Sequence, residues 1–366
     1  MTALSEGQQW SAKDQNFPPA FLKFLEENEI DPTIYGQSVN LPRYIRINPT
    51  LDEKEIVGEL KKELNTDIWE VPGVPGFYGL DGTIKIASSA LYKAGKVFGI
   101  DLSSGLAVYA LDVRPDDHIL DLCCAPGAKL CMIADSLGKD GSGTVTGVDI
   151  SEHRAATCRS LLKKYKVFRA RVFVHDGTTF NIHAPTVCVH PGRCVRKGGE
   201  KSHLKVGCSG PQVTEDAIVP EKAQKPFYAP RLLRDDPQHI HPDLLYDKYD
   251  KWGWDNFEKN FLNPDRINTI TKLQKDLISR GWELLKSGGV LVYSTCSLSR
   301  KQNEEVIEWF IRNHQDCELQ DIPHIEHLTY TKAKSHSDDI DLSKCARFEP
   351  LVSSTSGFFV ARLKKK

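Results

Sequence analysis

The sequence predicts an α/β fold built on a parallel sheet covered by helices on both faces, and three observations predict it. From Asp116 onward the patterns alternate as strand, helix, strand, helix, strand over His118 to Leu122, Ala128 to Leu137, Thr144 to Asp149, Glu152 to Tyr165 and Ala170 to His175. The strands are apolar runs that need not alternate, as expected of strands buried on both faces. Each leads into an aspartate: Asp121, Asp149 and Asp176 stand at three successive strand C-termini, where open α/β sheets bind ligands.

Composition sets the frame. The chain has 366 residues, 40% hydrophobic and 27% charged, a soluble globular profile with room for one large or two ordinary domains. A formal net charge of -1 excludes a global basic field, so nucleic-acid binding has to use a local patch. No stretch shows the basic-then-apolar pattern of a signal peptide or the ~18 apolar residues of a membrane span. The expected location is therefore the nucleus or cytoplasm, neither secreted nor in a membrane. Ten cysteines, with Cys123 and Cys124 adjacent at a strand end, read as reduced thiols rather than a disulfide framework.

Residues 1–40 read as an N-terminal extension in which Pro18-Pro19 opens a short helix with Phe21, Leu22, Phe24 and Leu25 on its apolar side. Residues 41–115 read as an α+β module. Within it Leu41 to Thr50 predicts a half-buried strand with Tyr44, Arg46 and Asn48 on one face, where Arg43 and Arg46 are either phosphate contacts or ordinary solvated charges. An amphipathic helix over Glu53 to Asn65, a Pro/Gly turn from Val71 to Gly76, a strand at Thr83 to Ile86 and a helix from Ser104 to Leu111 complete the module.

The turn after the first central strand is the most informative stretch. His118 to Leu130 reads His-Ile-Leu-Asp-Leu-Cys-Cys-Ala-Pro-Gly-Ala-Lys-Leu, an apolar strand running through a Gly/Pro turn into a helix. It lacks the three glycines that cradle a pyrophosphate, which disfavours a dinucleotide and points to S-adenosylmethionine. Asp149 is placed to accept both ribose hydroxyls of a nucleoside cofactor, since Ser151 already caps the following helix, and Asp176 is placed for the adenine amine.

Regularity stops over about 181–246, a Pro/Gly/Lys/His-rich insert. Its Cys188, His190, Cys194, His203 and Cys208 match no paired zinc spacing, so no metal is expected, and its basic run Arg193 to Lys205 reads as solvated loop. Order returns with a helix over Asp265 to Lys286, the strand Val290 to Tyr293 leading into Ser294-Thr295-Cys296-Ser297, a helix over Asn303 to Asn313, and a last strand from Ser356 to Leu363. Cys296 stands at a strand C-terminus on the rim of the cofactor site. It is either a structural thiol or a nucleophile.

Two stretches decide between these. Asp-Leu-Cys-Cys-Ala-Pro-Gly-Ala-Lys (121–129) and Gly-Gly-Val-Leu-Val-Tyr-Ser-Thr-Cys-Ser (288–297), continued by Gln302-Asn303-Glu304-Glu305-Val306 and closed by Gly-Phe-Phe-Val-Ala-Arg-Leu (357–363), resemble the Nop/Sun (Sun/Fmu-like) family of RNA cytosine-C5 methyltransferases. The resemblance covers about Arg43 to Leu363. It implies a Rossmann-like class I methyltransferase sheet over 116–366, S-adenosyl-L-methionine held by Cys123, Cys124, Ala125, Pro126, Gly127, Ala128, Lys129, Asp149 and Asp176, and Cys296 as the nucleophile that adds to cytosine C6. The partner it implies is tRNA or rRNA, with the target base unstacked.

The family pattern also includes a strand ending in Asp-Ala-x-Cys before the long helix, its Asp contacting cytosine N3 and its Cys assisting release. That strand is missing here. Tyr246-Asp247-Lys248 resembles its lead-in, but Tyr249-Asp250-Lys251-Trp252 follows directly, a near-repeat expected where an intervening segment has been lost. The chain is therefore expected to be impaired. The rival readings are a non-catalytic RNA-binding or partner-binding relative and an S-adenosylmethionine enzyme acting on protein or a small molecule.

Overall fold

Short apolar strands build the first sheet. In the computed structural model, which describes residue 17 and residues 19–35, 41–185, 226–229, 264–335 and 339–366, β1 (Arg43–Ile47), β2 (Ile68–Glu70), β3 (Phe77–Leu80) and β4 (Val97–Gly99) pair antiparallel in the order β2-β3-β1-β4. Helix α1 (Pro19–Glu27) precedes the sheet. Helix α2 (Glu53–Leu64), capped by Asp52 accepting from the Glu55 amide, buries Ile56 and Leu60 in a core with Ile45, Ile47, Leu80 and Val97. Two expectations are corrected. Thr83 to Ile86 is not a strand, because the Asp81 carboxylate takes the Thr83 amide and hydroxyl and the chain turns into a 3₁₀ segment at Ile86–Ser88. Arg46 is no phosphate contact: it is buried, ion-paired with Asp135 and stacked over Phe98 at 4.3 Å. Arg43 stays exposed.

The short α3 (Ala90–Lys93) and the buried α4 (Leu102–Tyr109) lead into the central region. There β5 (His118–Asp121), α5 (Ala128–Ser136), β6 (Thr144–Asp149), α6 (Glu152–Lys164) and β7 (Ala170–Val174) form a parallel sheet in the order β5-β6-β7, with Asp121 opposite Gly147 and Asp149 opposite Val174. All six residues of β6 are buried, as a doubly covered strand requires. Tyr228 bridges the outer edge of β7 by exchanging both backbone hydrogen bonds with Val172.

The second half carries α7 (Pro264–Leu284), β8 (Val290–Thr295), α8 (Glu304–Asn313), β9 (Cys317–Gln320), β10 (Thr331–Lys332), β11 (Ala346–Phe348) and β12 (Phe358–Lys365). Strand β12 is its centre, antiparallel to β8, β9 and β11. Among the described residues no ladder joins the two halves: β5 pairs only with β6, and β8 only with β12. Both strands show it in their burial. Asp121 and its two predecessors are half-buried, and in β8 only Tyr293 is fully buried.

Helices hold the halves together instead. Helix α4 packs against α5 on one side and β8 and β12 on the other. In α7, a methyl group added at Gly281 would lie 3.2 Å from the Leu291 side chain and 3.6 Å from that of Leu122, so this helix lies against both halves at once. Cys188, His190, Cys194, His203 and Cys208 of the insert, the basic run at Arg193 to Lys205, and the Lys248/Tyr249 junction lie outside the described residues.

Candidate active site

The site is built on the C-terminal ends of β5, β6 and β7. After Asp121 the chain turns through Cys123 to Gly127 into α5. Gly127 has φ +108°, and a Cβ there would sit 3.1 Å from the Cys158 Cα, so only glycine lets the turn lie this close to α6. The Cys124 amide donates to the Val148 carbonyl at 3.0 Å, and its buried sulfur faces Cys158 at 3.8 Å, which raises its thiol pKa and leaves only the backbone of Cys124 to face a ligand. Cys123 is at the surface, its amide donating to Asp121 Oδ1 at 3.1 Å. Desolvation and the nearby Asp121 and Asp149 carboxylates push its thiol up to about 12, so it is protonated at neutral pH.

Asp121 itself is the most unusual group. Its Oδ2 is buried with no hydrogen-bond partner among the described residues. Desolvation raises its pKa, and Asp149 adds to the effect, against the opposing pull of Lys129 and the Cys123 amide. A buried carboxylate oxygen without a donor is costly unless a ligand supplies one.

Asp149 is also buried, its Oδ1 taking the Ser151 amide at 3.0 Å and its Oδ2 lying 3.6 Å from Arg154. Arg154 further donates to the Ala125 carbonyl at 3.3 Å, tying the turn to α6. Pro126 is exposed, while Ala128 and Lys129 are half-buried in the first turn of α5. Asp176 is exposed, with Oδ1 accepting from the Thr178 amide and hydroxyl.

Cys296 is exposed immediately after β8. Its segment is held from both sides. Fully buried Asn303 receives the Thr295 hydroxyl at 2.5 Å and donates to the Ser297 carbonyl at 2.8 Å, and the Ser297 amide returns to Thr295 Oγ1 at 3.1 Å. Next to it buried Glu304 takes a bidentate pair from Arg347, at 3.0 and 2.8 Å, and Arg347 also donates to the Leu298 carbonyl at 2.9 Å. Residue order gives Asn303 and Glu304 no role of their own and does not single out Arg347. Nothing in the order of residues marks an arginine 43 positions downstream as the partner of Glu304.

These elements match known proteins. A sequence model of the family described as 16S rRNA methyltransferase RsmB/F matches residues 108–190 and 259–364, just over half of the chain. The chain belongs to that family.

The RsmB/F match breaks after residue 190 and resumes at 259, over the same part of the chain in which no strand is described. The chain is 29% identical over 287 residues to the probable ribosomal RNA small subunit methyltransferase B of Bacillus subtilis (strain 168), covering 78% of this chain and 51% of that protein. It is 24% identical over 333 residues to the tRNA (cytosine(49)-C(5))-methyltransferase of Pyrococcus abyssi, covering 88% and 89%. The chain spans about half the length of the Bacillus relative. A methyltransferase homolog protein from Pyrococcus horikoshii shares the fold, with TM-score 0.61 at 22% identity over 96% of this chain and 100% of that one. The fold is thus the Rossmann-like α/β fold of methyltransferases, and the cofactor of an RsmB/F methyltransferase is S-adenosylmethionine.

The residues present fit that cofactor chemically. It carries an ammonium group and a sulfonium centre but no phosphate. The β5 rim offers the partnerless oxygen of Asp121 and the buried carboxylate of Asp149, with Lys129 as the one cation of the turn from Asp121 to Lys129. An acidic rim suits a cation and would repel a pyrophosphate.

Proposed function

We propose that this chain methylates C5 of cytosine in a tRNA or rRNA through a covalent bond between Cys296 and C6 of the base. The observation that carries the reading is the setting of Cys296: an exposed thiol at the end of β8, on a segment braced by Asn303 and by the Glu304–Arg347 pair. C5 of cytosine is too electron-poor to attack a methyl group directly. Addition of the Cys296 thiolate to C6 moves the 5,6 electron pair toward C5, making it nucleophilic, and the cofactor supplies the electrophilic methyl group. Removal of the C5 proton then restores the 5,6 double bond and expels the thiolate, so the enzyme is regenerated.

On this reading Asp121 holds the cofactor's ammonium group, Asp149 its ribose and Asp176 its adenine, while the backbone and side chains of Cys123 to Lys129 line the methionine end. Cys124 contributes through its backbone. That β5 and β8 each pair on one side only among the described residues supports a second element of the proposal, that the chain is impaired. If no strand between them supplies a carboxylic acid, charge developing on N3 goes unpartnered, a loss of ~10²–10³ in rate.

RNA carrying 5-fluorocytosine tests the chemistry, because fluorine at C5 cannot leave as a proton and the adduct persists. A denaturation-resistant protein–RNA band is expected with the wild-type chain and none with Cys296→Ser. A band of equal strength in both would remove Cys296 from the mechanism.

A further inference from the structure

Opposite the Cys296 rim the structure has a cleft with no part in the chemistry above. It occupies ≈ 290 Å³ between the antiparallel module and the C-terminal ends of α5 and α6, lined among others by Asn48, Thr50, Lys96, Lys164, Lys166 and Arg169. Its place on the far rim follows from the strands. Arg169, just before β7, donates to the carbonyls of Gly143 at 3.0 Å and Lys139 at 2.8 Å, ahead of β6, whereas Asp149 ends β6 and Asp176 follows the far end of β7. Strands of five and six residues at ~3.3 Å per residue put roughly 17–20 Å between the two rims.

The cleft is positive on a chain whose net charge is -1. Its one lining carboxylate, Asp135, is already ion-paired with Arg46. Lys96 lies 3.5 Å from Glu59 with both side chains partly exposed, a contact that leaves the ammonium open to a second partner. The ends of α5 and α6 bring about half a negative charge each, fewer than the three lysines around them. Two of these lysines are set rather than loose. The Lys164 ammonium stacks 3.5 Å from the centre of the Tyr92 ring, which belongs to the antiparallel module. Lys166 stands just past α6 at φ +54°, a left-handed position where glycine is the favoured residue and a lysine side chain is an added cost. Gly95, at φ +74°, lets the module press against the end of α6, since a Cβ there would sit 2.9 Å from the Lys164 carbonyl.

We propose that this cleft grips the phosphodiester backbone of the RNA, a second contact remote from the target base; the inference rests on the RNA reading above. The lysine cations suit phosphate oxygens, while the Thr50 hydroxyl is already given to Asn48 Oδ1 at 2.8 Å. Base stacking is disfavoured, because Tyr165 is buried and the Tyr92 face is covered by Lys164. The contact positions RNA without reading its sequence.

The test is the binding of labelled, unfractionated tRNA and fragmented rRNA to the full chain and to Lys164→Gln/Lys166→Gly, across a salt series. The double variant is expected to bind roughly tenfold more weakly and to lose about 1–2 from the slope of log affinity against log salt, about 0.9 per phosphate contact. S-adenosylmethionine binding should be unchanged. Glycine at φ +54° relieves the backbone, so the single variant Lys166→Gly should melt no lower than wild type while still losing part of the slope. Unchanged slope and affinity in the folded double variant would overturn the proposal and leave the RNA reading standing. So would binding of inorganic phosphate that the variant loses while keeping its RNA affinity, which would assign the cleft to a free anion. A wild-type chain that binds neither RNA would overturn both.

Discussion

Arg347 and Glu304 show how one residue pair braces the segment that carries Cys296, the proposed nucleophile, without touching it. Both are buried, and Arg347 also holds the Leu298 carbonyl two residues after Cys296. Arg347→Ala would leave a buried carboxylate without its partner, a loss of about 3–5 kcal/mol, expected in a thermal melt as a drop on the order of 10 °C. An unchanged melting temperature would show that the pair is dispensable. Asp121 makes the opposite case, a half-buried residue whose buried Oδ2 has no hydrogen-bond partner among the described residues. Its folded pKa lies above the ordinary 3.8 because burial disfavours the charged form, so its contribution to stability is fully present below about pH 4 and is lost as pH rises through the raised value. Asp121→Asn without cofactor should therefore gain on wild type as pH rises, by about 1–3 kcal/mol at pH 8 and by little at pH 4. It should also bind S-adenosylmethionine more weakly at neutral pH. Melts at both pH values and a titration by calorimetry check the two halves, and equal pH profiles would mean that Asp121 is already compensated.

At the level of elements the decisive pair is β5 and β8. Each has a hydrogen-bonded neighbour on one side only among the described residues, and each is less buried than β6 or β12. A central strand with four or five buried apolar residues contributes on the order of 10 kcal/mol, comparable with the whole stability of a domain. Inserting between Lys248 and Tyr249 an apolar strand that ends in Asp-Ala-x-Cys is therefore expected to raise the melting temperature and to increase transfer of labelled methyl to RNA by ~10²–10³. No change in either quantity would mean that the open edges are the finished form of this fold. The other elements explain which patterns were readable. Strands β6 and β7 and helices α2, α6 and α7 stand close to their expected bounds, because each is long enough for its periodicity to show. Strands β2, β3 and β4, of three or four residues, are too short to carry a pattern, and the strand expected at Thr83 to Ile86 lost to the turn chemistry of Asp81.

Over the described residues the sheet falls into two halves held together by α4 and α7, with the antiparallel module fastened to α5 by Arg46 and Asp135. The α/β class, the turn after β5, the three strand-end aspartates and Cys296 were all legible from residue order, because strand-end chemistry is local: an apolar run, a turn and the next helix lie consecutively in the chain. The interrupted repeat at Tyr246 to Lys251, the ground for expecting a lost segment, lies outside the described residues. What required the folded chain is everything set by partners distant in sequence. Residue order leaves Arg46 as either a phosphate contact or a solvated charge, and Asp135, 89 residues away, makes it neither; the clamp on the Cys296 segment needs Arg347, 43 residues beyond Glu304. The orphaned oxygen of Asp121 and the basic cleft at Lys164 and Lys166 are likewise invisible in order alone, because burial and charge density are sums over neighbours that only folding brings together.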